Sequence, residues 1–274
     1  MAEHTAPVIR VNGLAKTYGS KDRVTVVQDV SFTVRHGRTL AIVGESGAGK
    51  STIAAILTGL TPASAGTVEV CGEDRSEPAR SARARRRRGR QMQLVSQNPF
   101  TALDPRQPIR SVISEALSIA GIGTRTRRRD RTLELLEAVG LGARHLDLTP
   151  RALSGGQRQR VAIARALAAE PEVIVLDEAV SALDVSVQAQ VLNLLRDLQR
   201  ATHTAYVFIT HDLAVVRQIA HEVLVVQSGR VVERGPVDNV LSAPQSEYTR
   251  VLLDSTPRHG WKPTARAGAR CVLQ

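Results

Sequence analysis

The chain has 274 residues, 42% of them hydrophobic, and a formal net charge of +11. That length fits one large domain or a core with an inserted subdomain, and the positive balance favours an anionic partner such as a nucleotide, a nucleic acid or an acidic lipid face. Aromatic residues at 3% argue against base-stacking platforms, two distant cysteines against a disulfide framework or a metal cluster, and the lack of any run of about 18 apolar residues against a membrane span. Met1 to Pro7 is short and polar and reads as no secretory leader.

In chain order, Val8 to Val11 and Val24 to Val34 carry β-rich patterns, with Tyr18-Gly19 expected in the turn between them. They predict a small antiparallel layer. Thr39 to Val43 is apolar throughout and predicts a buried strand. It runs into Gly44-Glu-Ser-Gly-Ala-Gly-Lys-Ser51, which fits G-x-x-x-x-G-K-[ST], and a helical segment, Thr52 to Leu57, follows. The order has a physical purpose. Glycines let consecutive N–H groups curl around oxygen anions, and a helix N-terminus adds partial positive charge. Lys50 supplies a point charge for the β- and γ-phosphates and Ser51 a hydroxyl for Mg²⁺. The plainer reading is a glycine-rich turn, which the flanking strand and helix disfavour. The motif predicts binding of a nucleoside triphosphate, but it does not separate a kinase, a GTPase, a repair ATPase or a transport motor.

Thr61 to Gly66 is a turn signal, Thr67 to Val70 a short strand, and Gly72 the start of a loop. Arg80 to Arg90 is dense in arginine. It reads either as an anion-binding patch or, more commonly for charge runs, as a solvated face. Gln91 to Ser96 reads as a strand ending at Gln97. Asn98 to Pro108 is irregular, and helices are expected at Ile109 to Gly121 and Thr132 to Val139, with Arg125 to Arg131 as a second basic patch between them. The stretch from Asn98 to about Arg160 is therefore expected as a helical insertion. A helix is expected from Arg158 to Ala169, a strand from Glu172 to Leu176 ending in Asp177-Glu178, and a helix from Val185 to Gln199. Ala205 to Ile209 reads as a strand ending at His211, and Val223 to Gln227 with Gly229 to Glu233 as a hairpin. Beyond Ser242 the chain turns polar, and Thr256 to Gln274 reads as a loose tail.

One pattern unites these elements. Four apolar strands end in the glycine loop, in Gln97, in Asp177-Glu178 and in His211. Singly, Gln97 reads equally as a turn residue, His211 as a surface histidine and the acidic pair as a helix cap. In an open α/β sheet, however, ligands bind beyond the carboxyl ends of the strands, so parallel neighbours would bring all four to one phosphate. Asp177 then suits Mg²⁺, and Glu178 suits polarising an attacking water.

Leu153-Ser-Gly-Gly-Gln157 resembles the signature motif of ATP-binding cassette (ABC) ATPases. With the phosphate loop, Gln97, Asp177-Glu178, Ser181-Ala-Leu-Asp184 and His211, it resembles the complete cassette in its usual order, over roughly Val8 to Leu253. Val95-Ser-Gln-Asn-Pro-Phe-Thr-Ala-Leu-Asp-Pro-Arg106, Val180 to Gln190 and Pro244 to Leu253 are similar to segments of the dipeptide, oligopeptide and nickel importer ATPases. Departures are Asn98 and Asp104, where that subfamily often has Asp and Asn, and Ala179-Val180 in place of Pro-Thr.

The resemblance implies an α/β fold: a P-loop NTPase (RecA-like) core with an N-terminal antiparallel β layer and an inserted helical subdomain. Residues 1–97 and 161–241 would form the nucleotide-binding core, 98–160 the helical subdomain ending in the signature, and 242–274 a C-terminal extension. It implies ATP and Mg²⁺ as ligands. Tyr18 would stack on adenine, while Gly44, Glu45, Ser46, Gly47, Ala48, Gly49, Lys50, Ser51 and Thr52 enclose the phosphates. Ser51, Gln97 and Asp177 would serve Mg²⁺; Glu178, His211 and Lys50 would serve hydrolysis. Ser154, Gly155, Gly156 and Gln157 would complete the ATP site of a partner cassette, with Asp184 in the D-loop nearby. The implied function is an ATPase subunit energising import of peptides or a related solute such as nickel. Its implied partners are a second cassette, identical or sibling, two membrane-spanning permease subunits and, indirectly, a solute-binding protein. The implied location is the cytoplasmic face of the membrane, with docking near Gln97 to Arg106 and Phe100 as its aromatic candidate. The competing reading is a soluble ABC ATPase acting on nucleic acid or ribosomes. A single phosphate loop and signature, and no long coiled coil, speak against it.

Overall fold

The computed structural model describes residues 6–19, 22–97 and 103–255. Asn98 and Phe100, most of the expected docking segment's start, and the tail from 256 lie outside the described residues. Two sheets form. The smaller is antiparallel, in the order β2 (Val24–Val34), β1 (Ile9–Tyr18), β4 (Ala65–Val70), β5 (Glu73–Asp74). The larger runs β10 (Arg230–Pro236), β9 (Glu222–Gln227), β3 (Thr39–Val43), β8 (Ala205–Thr210), β7 (Val173–Asp177), β6 (Met92–Val95). Its β9, β3, β8, β7 and β6 pair in parallel, and β10 closes one edge as the antiparallel arm of the expected hairpin.

The continuous apolar runs have a simple cause: both faces of this sheet are covered, and side chains alternate between them. Along β7, Val173 and Val175 face the β layer and α1 (Lys50–Leu57), while Ile174 and Leu176 face the helices. Along β8, Val207 and Ile209 take the first side and Tyr206 and Phe208 the second. Tyr206 is fully buried, and its hydroxyl donates to the Leu195 carbonyl at 3.1 Å, so the one polar atom of that ring is satisfied.

Among the described residues the remaining α-helices are α2 (Ala82–Gln91), α3 (Ile109–Ile119), α4 (Arg125–Ala138), α5 (Gly155–Leu167), α6 (Val185–Thr202), α7 (Leu213–Ile219), α8 (Val237–Ser242) and α9 (Glu247–Asp254). Several boundaries differ from those read in the sequence. Tyr18 is not a turn residue: it ends β1, paired with Val24. The patch Arg125 to Arg131 is not a connection but the first two turns of α4, capped by the Thr124 hydroxyl, because arginine is a good helix former and its charges face outward. Arg80 to Arg90 is mostly α2, none of whose residues is buried. Arg87 and Arg88 both bind the Glu73 carboxylate of β5, and Arg88 also donates to the Glu77 and Asp74 carbonyls. The run thus holds α2 to the β layer.

Helix α5 starts three residues earlier than expected, so a boundary at 160/161 cuts through it. Ile109, Ile113, Leu117 and Leu136 of the inserted helices share one buried cluster with Ile163 of α5 and Leu176 of β7. The sequence did not announce α7 to α9. They close a third cluster over Ala41, Val43, Val223 and Val225 at the β3–β9 end of the sheet.

Candidate functional site

The strand order puts β9, β3, β8, β7 and β6 side by side, so the segments after β3, β8, β7 and β6 open at one edge of the sheet. After β3 comes the glycine loop. Gly49 caps α1 in a left-handed conformation at φ 100, and a side chain there would meet the Val26 carbonyl oxygen at 2.6 Å, so only glycine fits. Lys50, only 5% exposed, opens α1. Its Nζ donates to the Gly44 and Glu45 carbonyls, each at 2.7 Å. Burial lowers the Lys50 pKa from its ordinary value, while Glu178, Asp177 and Glu45 oppose that shift.

Asp177 ends β7, and Ser51 Oγ donates to its Oδ1 at 3.4 Å. Burial raises the Asp177 pKa, and the Glu178 charge adds to the rise; the Ser51 hydroxyl and Lys50 counter it. A divalent cation beside this pair would hold the carboxylate ionised. A hydroxyl and a carboxylate, both hard oxygen donors, suit Mg²⁺, which binds through one or two protein oxygens together with substrate phosphates. On that chemistry the residues present fit the ion.

Glu178 follows with a left-handed backbone at φ 49, unusual for a glutamate. Its N–H donates to the Ile209 carbonyl of β8 at 2.9 Å, and its Oε1 lies 3.4 Å from His211 Nδ1. Adjacent strands thus deliver the acid and the imidazole to the same spot. Ser181 Oγ donates to the Glu178 carbonyl at 2.9 Å and accepts from Gln97 Nε2 at 3.4 Å. One hydroxyl therefore links the ends of β6 and β7. The Ala179-Val180 departure is a packing matter, since both are buried, at 3% and 1% exposure, in the large core.

Tyr18, the last residue of β1, is 43% exposed, with Lys16 Nζ 4.9 Å from its ring centroid. The ring is exposed enough to stack on a ligand, with Lys16 over one face. Asp184 is the N-cap of α6, accepting from Val187 N–H and the Ser186 hydroxyl, which hold its carboxyl below the ordinary value.

The 154–157 segment opens α5. Ser154 caps α5, accepting from Gln157 N–H at 3.3 Å, while Gln157 Oε1 accepts from Ser154 N–H at 2.9 Å. This reciprocal box fixes the helix start. The glycines are therefore not ahead of the helix but in its first turn, packed beside Leu183 and Val187. Ser154 and Gly155 are exposed, with a helix N-terminus behind them. Tyr248, whose hydroxyl meets the glycine loop, was missed; nothing in the sequence near it signals phosphate chemistry.

A family model described as ABC transporter matches residues 27–181. The dipeptide transport ATP-binding protein DppF of Haemophilus influenzae is 44% identical over 93% of this chain and 80% of its own length. The protein of that name from Escherichia coli is 45% identical over 86% of this chain and 70% of its own. Among solved structures, the ATP-binding cassette MJ0796, a dimer in a post-hydrolysis state bound to ADP and Pi, superposes with a TM-score of 0.75 and 28% identity, covering 84% of this chain and 98% of that one. The cassette cbiO1 of Clostridium perfringens, part of the transporter complex cbiONQ, gives 0.77 and 25%, covering 86% and 91%.

Proposed function

Since the chain belongs to the ABC transporter family of ATP-binding proteins, we propose that it hydrolyses ATP to drive import of peptides or dipeptides through separate membrane subunits. The observation that carries the chemistry is the sheet order: β3, β8, β7 and β6 are neighbours, and their ends deliver the phosphate loop, His211, Asp177-Glu178 and Gln97 to one edge.

The residues divide the work as follows. N–H groups of the loop and the start of α1 face the phosphates, and Lys50 exchanges its two loop carbonyls for phosphate oxygens. Ser51 and Asp177, together with Gln97, would hold Mg²⁺, which would supply charge neutralisation as the γ-phosphoryl group passes to water and ADP leaves. Glu178 accepts a proton from, and orients, the attacking water, and His211 fixes the Glu178 carboxylate while facing the γ-phosphate. Tyr18 stacks on adenine.

Ser154 and Gly155 are exposed on a helix start whose own bonds run to Gln157 and which packs on α6. Such an anion site is free to meet a phosphate held by another chain. We read the working unit as two cassettes, identical or sibling, sandwiching two ATP, with Asp184 near the seam. Residues 1–97 with 161–241 act as the catalytic core, 98–160 as the helical subdomain docking on two permease subunits near Gln97 to Arg106, and 242–274 as an extension. No described helix is long and apolar enough to cross a membrane, so attachment to its cytoplasmic face goes through those partners. A solute-binding protein delivers the peptide to them. The nucleic-acid reading is not favoured: the relatives are peptide transport ATP-binding proteins, and two arginines of α2, Arg87 and Arg88, are engaged with Glu73 of β5.

The test is phosphate release from ATP by the purified chain together with the membrane proteins that co-purify with it, and uptake of labelled dipeptide by cells carrying or lacking it. Hydrolysis that requires Glu178 and uptake that requires the chain are expected. Turnover stimulated by RNA or DNA and indifferent to the membrane proteins would overturn the transport reading.

A further inference from the structure

We propose that Tyr248, far outside the 27–181 family match, is a positioning residue for the phosphate loop: its hydroxyl holds one end of the Gly44–Glu45 peptide in place. The Glu45 N–H donates to Tyr248 Oη at 3.0 Å, across 203 positions of sequence. The carbonyl of that same peptide, Gly44 O, accepts from Lys50 Nζ at 2.7 Å. A peptide unit is planar, so these two bonds grip a single rigid plate at opposite ends.

The grip matters because of what sits beside it. Gly44 lies so close to β9 that a side chain would meet the Val226 carbonyl oxygen at 2.1 Å. Glycine is obligatory there, and glycine leaves the adjoining peptide few steric limits on rotation. Lys50 is one restraint, but the proposed function requires Lys50 to leave Gly44 and Glu45 for the phosphates. At that moment Tyr248 is what remains on the plate. In the free chain Lys50 shares the holding of the plate, whereas with nucleotide bound it falls to Tyr248 alone, so loss of the hydroxyl weighs more on the bound state.

Tyr248 is itself well anchored. Its ring packs on the cluster containing Ala41 and Val43, the strand that leads into the loop. Within α9, Thr249 is fully buried and Leu252 and Leu253 are each 8% exposed. The Glu233 carboxylate of β10 accepts from Gln245 N–H at 2.8 Å and Ser246 N–H at 3.1 Å, fixing the chain just before α9. Although burial opposes it, these bonds and the neighbouring Thr249 hydroxyl keep the Glu233 carboxyl below its ordinary pKa. The hydroxyl thus reaches the loop from a fixed helix.

The inference rests on reading 44–51 as the ATP loop, and the experiment separates the two. Tyr248→Phe keeps the ring and removes only the hydroxyl. A neutral hydrogen bond lost from the bound state predicts a rise of about 2- to 10-fold in the ATP dissociation constant and KM. Turnover at saturating ATP should hold, and the melting temperature of the nucleotide-free chain should fall by much less than in Leu252→Ala, because Lys50 still holds the plate there. Leu252→Ala, which loosens α9 without touching the hydroxyl, should lower the melting temperature and serves as the packing control. Lys50→Ala is titrated alongside. Unchanged ATP affinity in Tyr248→Phe, with Lys50→Ala weakened, would overturn the Tyr248 role and leave the site standing. A KM rise matched by a melting loss like that of Leu252→Ala would reduce Tyr248 to packing. If neither Tyr248→Phe nor Lys50→Ala alters affinity, the ATP-loop reading itself is wrong.

Discussion

Gly156→Ala is the smallest change that should disable turnover without touching the chain's own nucleotide loop. A methyl group at Gly156 would stand 2.4 Å from Val187 Cγ1 and 3.7 Å from Val187 Cβ. Carbon atoms pack at about 3.5–4.0 Å, so roughly 1 Å must be found by moving the start of α5, α6 or both. Overpacking of this kind costs about 1–3 kcal/mol. For a domain of this size each kcal/mol lowers the melting temperature by about 2–4 °C, so a fall of roughly 2–12 °C is expected. The same displacement moves Ser154 and Gly155, the exposed face of the capping box, and a misplacement of about 1 Å can cost on the order of 100-fold in rate. ATP affinity of the isolated chain should be unchanged. Val187→Ala removes the offending methyl and leaves the Cβ at an ordinary contact distance, so the double variant should recover most of the melting temperature and turnover. The assay is a double-mutant cycle read by calorimetry and by phosphate release. Full turnover in Gly156→Ala, or no recovery in the double variant, would refute both the packing and the role given to this helix start.

Two further outcomes are expected. Lys50→Ala removes a charge-assisted contact worth about 1.5–3 kcal/mol, so calorimetric titration should show ATP binding weakened by roughly 10- to 100-fold; unchanged affinity would remove Lys50 from the phosphates. Tyr18→Ala should cost about 1–3 kcal/mol of ATP affinity through lost stacking and leave the unliganded melting point alone, because the ring is 43% exposed and supports little of the core; wild-type affinity would make it a plain strand end.

Strands and their ends were legible because burial on both faces leaves long apolar runs, as in Val173 to Leu176, and because each run stopped at a residue with chemistry of its own. The glycine loop was legible for the same reason: its neighbours supplied the strand and the helix that a bare motif lacks. The length of α4 was not, since seven largely basic residues hide a helical period that only Leu135 and Leu136 complete. The start of α5 was misplaced because two glycines are poor helix formers, and tertiary contact with Val187 overrides that propensity. The Ser181 hydroxyl linking Gln97 to Glu178 and the reach of Tyr248 to Glu45 are long-range contacts; no local pattern encodes them.

The central claim is that the site is completed by a second cassette, and one measurement tests it directly. Glu178→Gln should keep the shape of the strand end, bind ATP through Lys50, Ser51 and Asp177, and stop before hydrolysis. Light scattering behind size-exclusion chromatography should then show, with ATP, about twice the 29.6 kDa of the single chain, or a mixed dimer with a sibling cassette, and a monomer without nucleotide. Adding Ser154→Arg in the same chain should abolish that dimer by placing bulk against the partner's phosphate. A Glu178→Gln chain that stays monomeric with ATP, alone and with every cassette that co-purifies, would contradict the account.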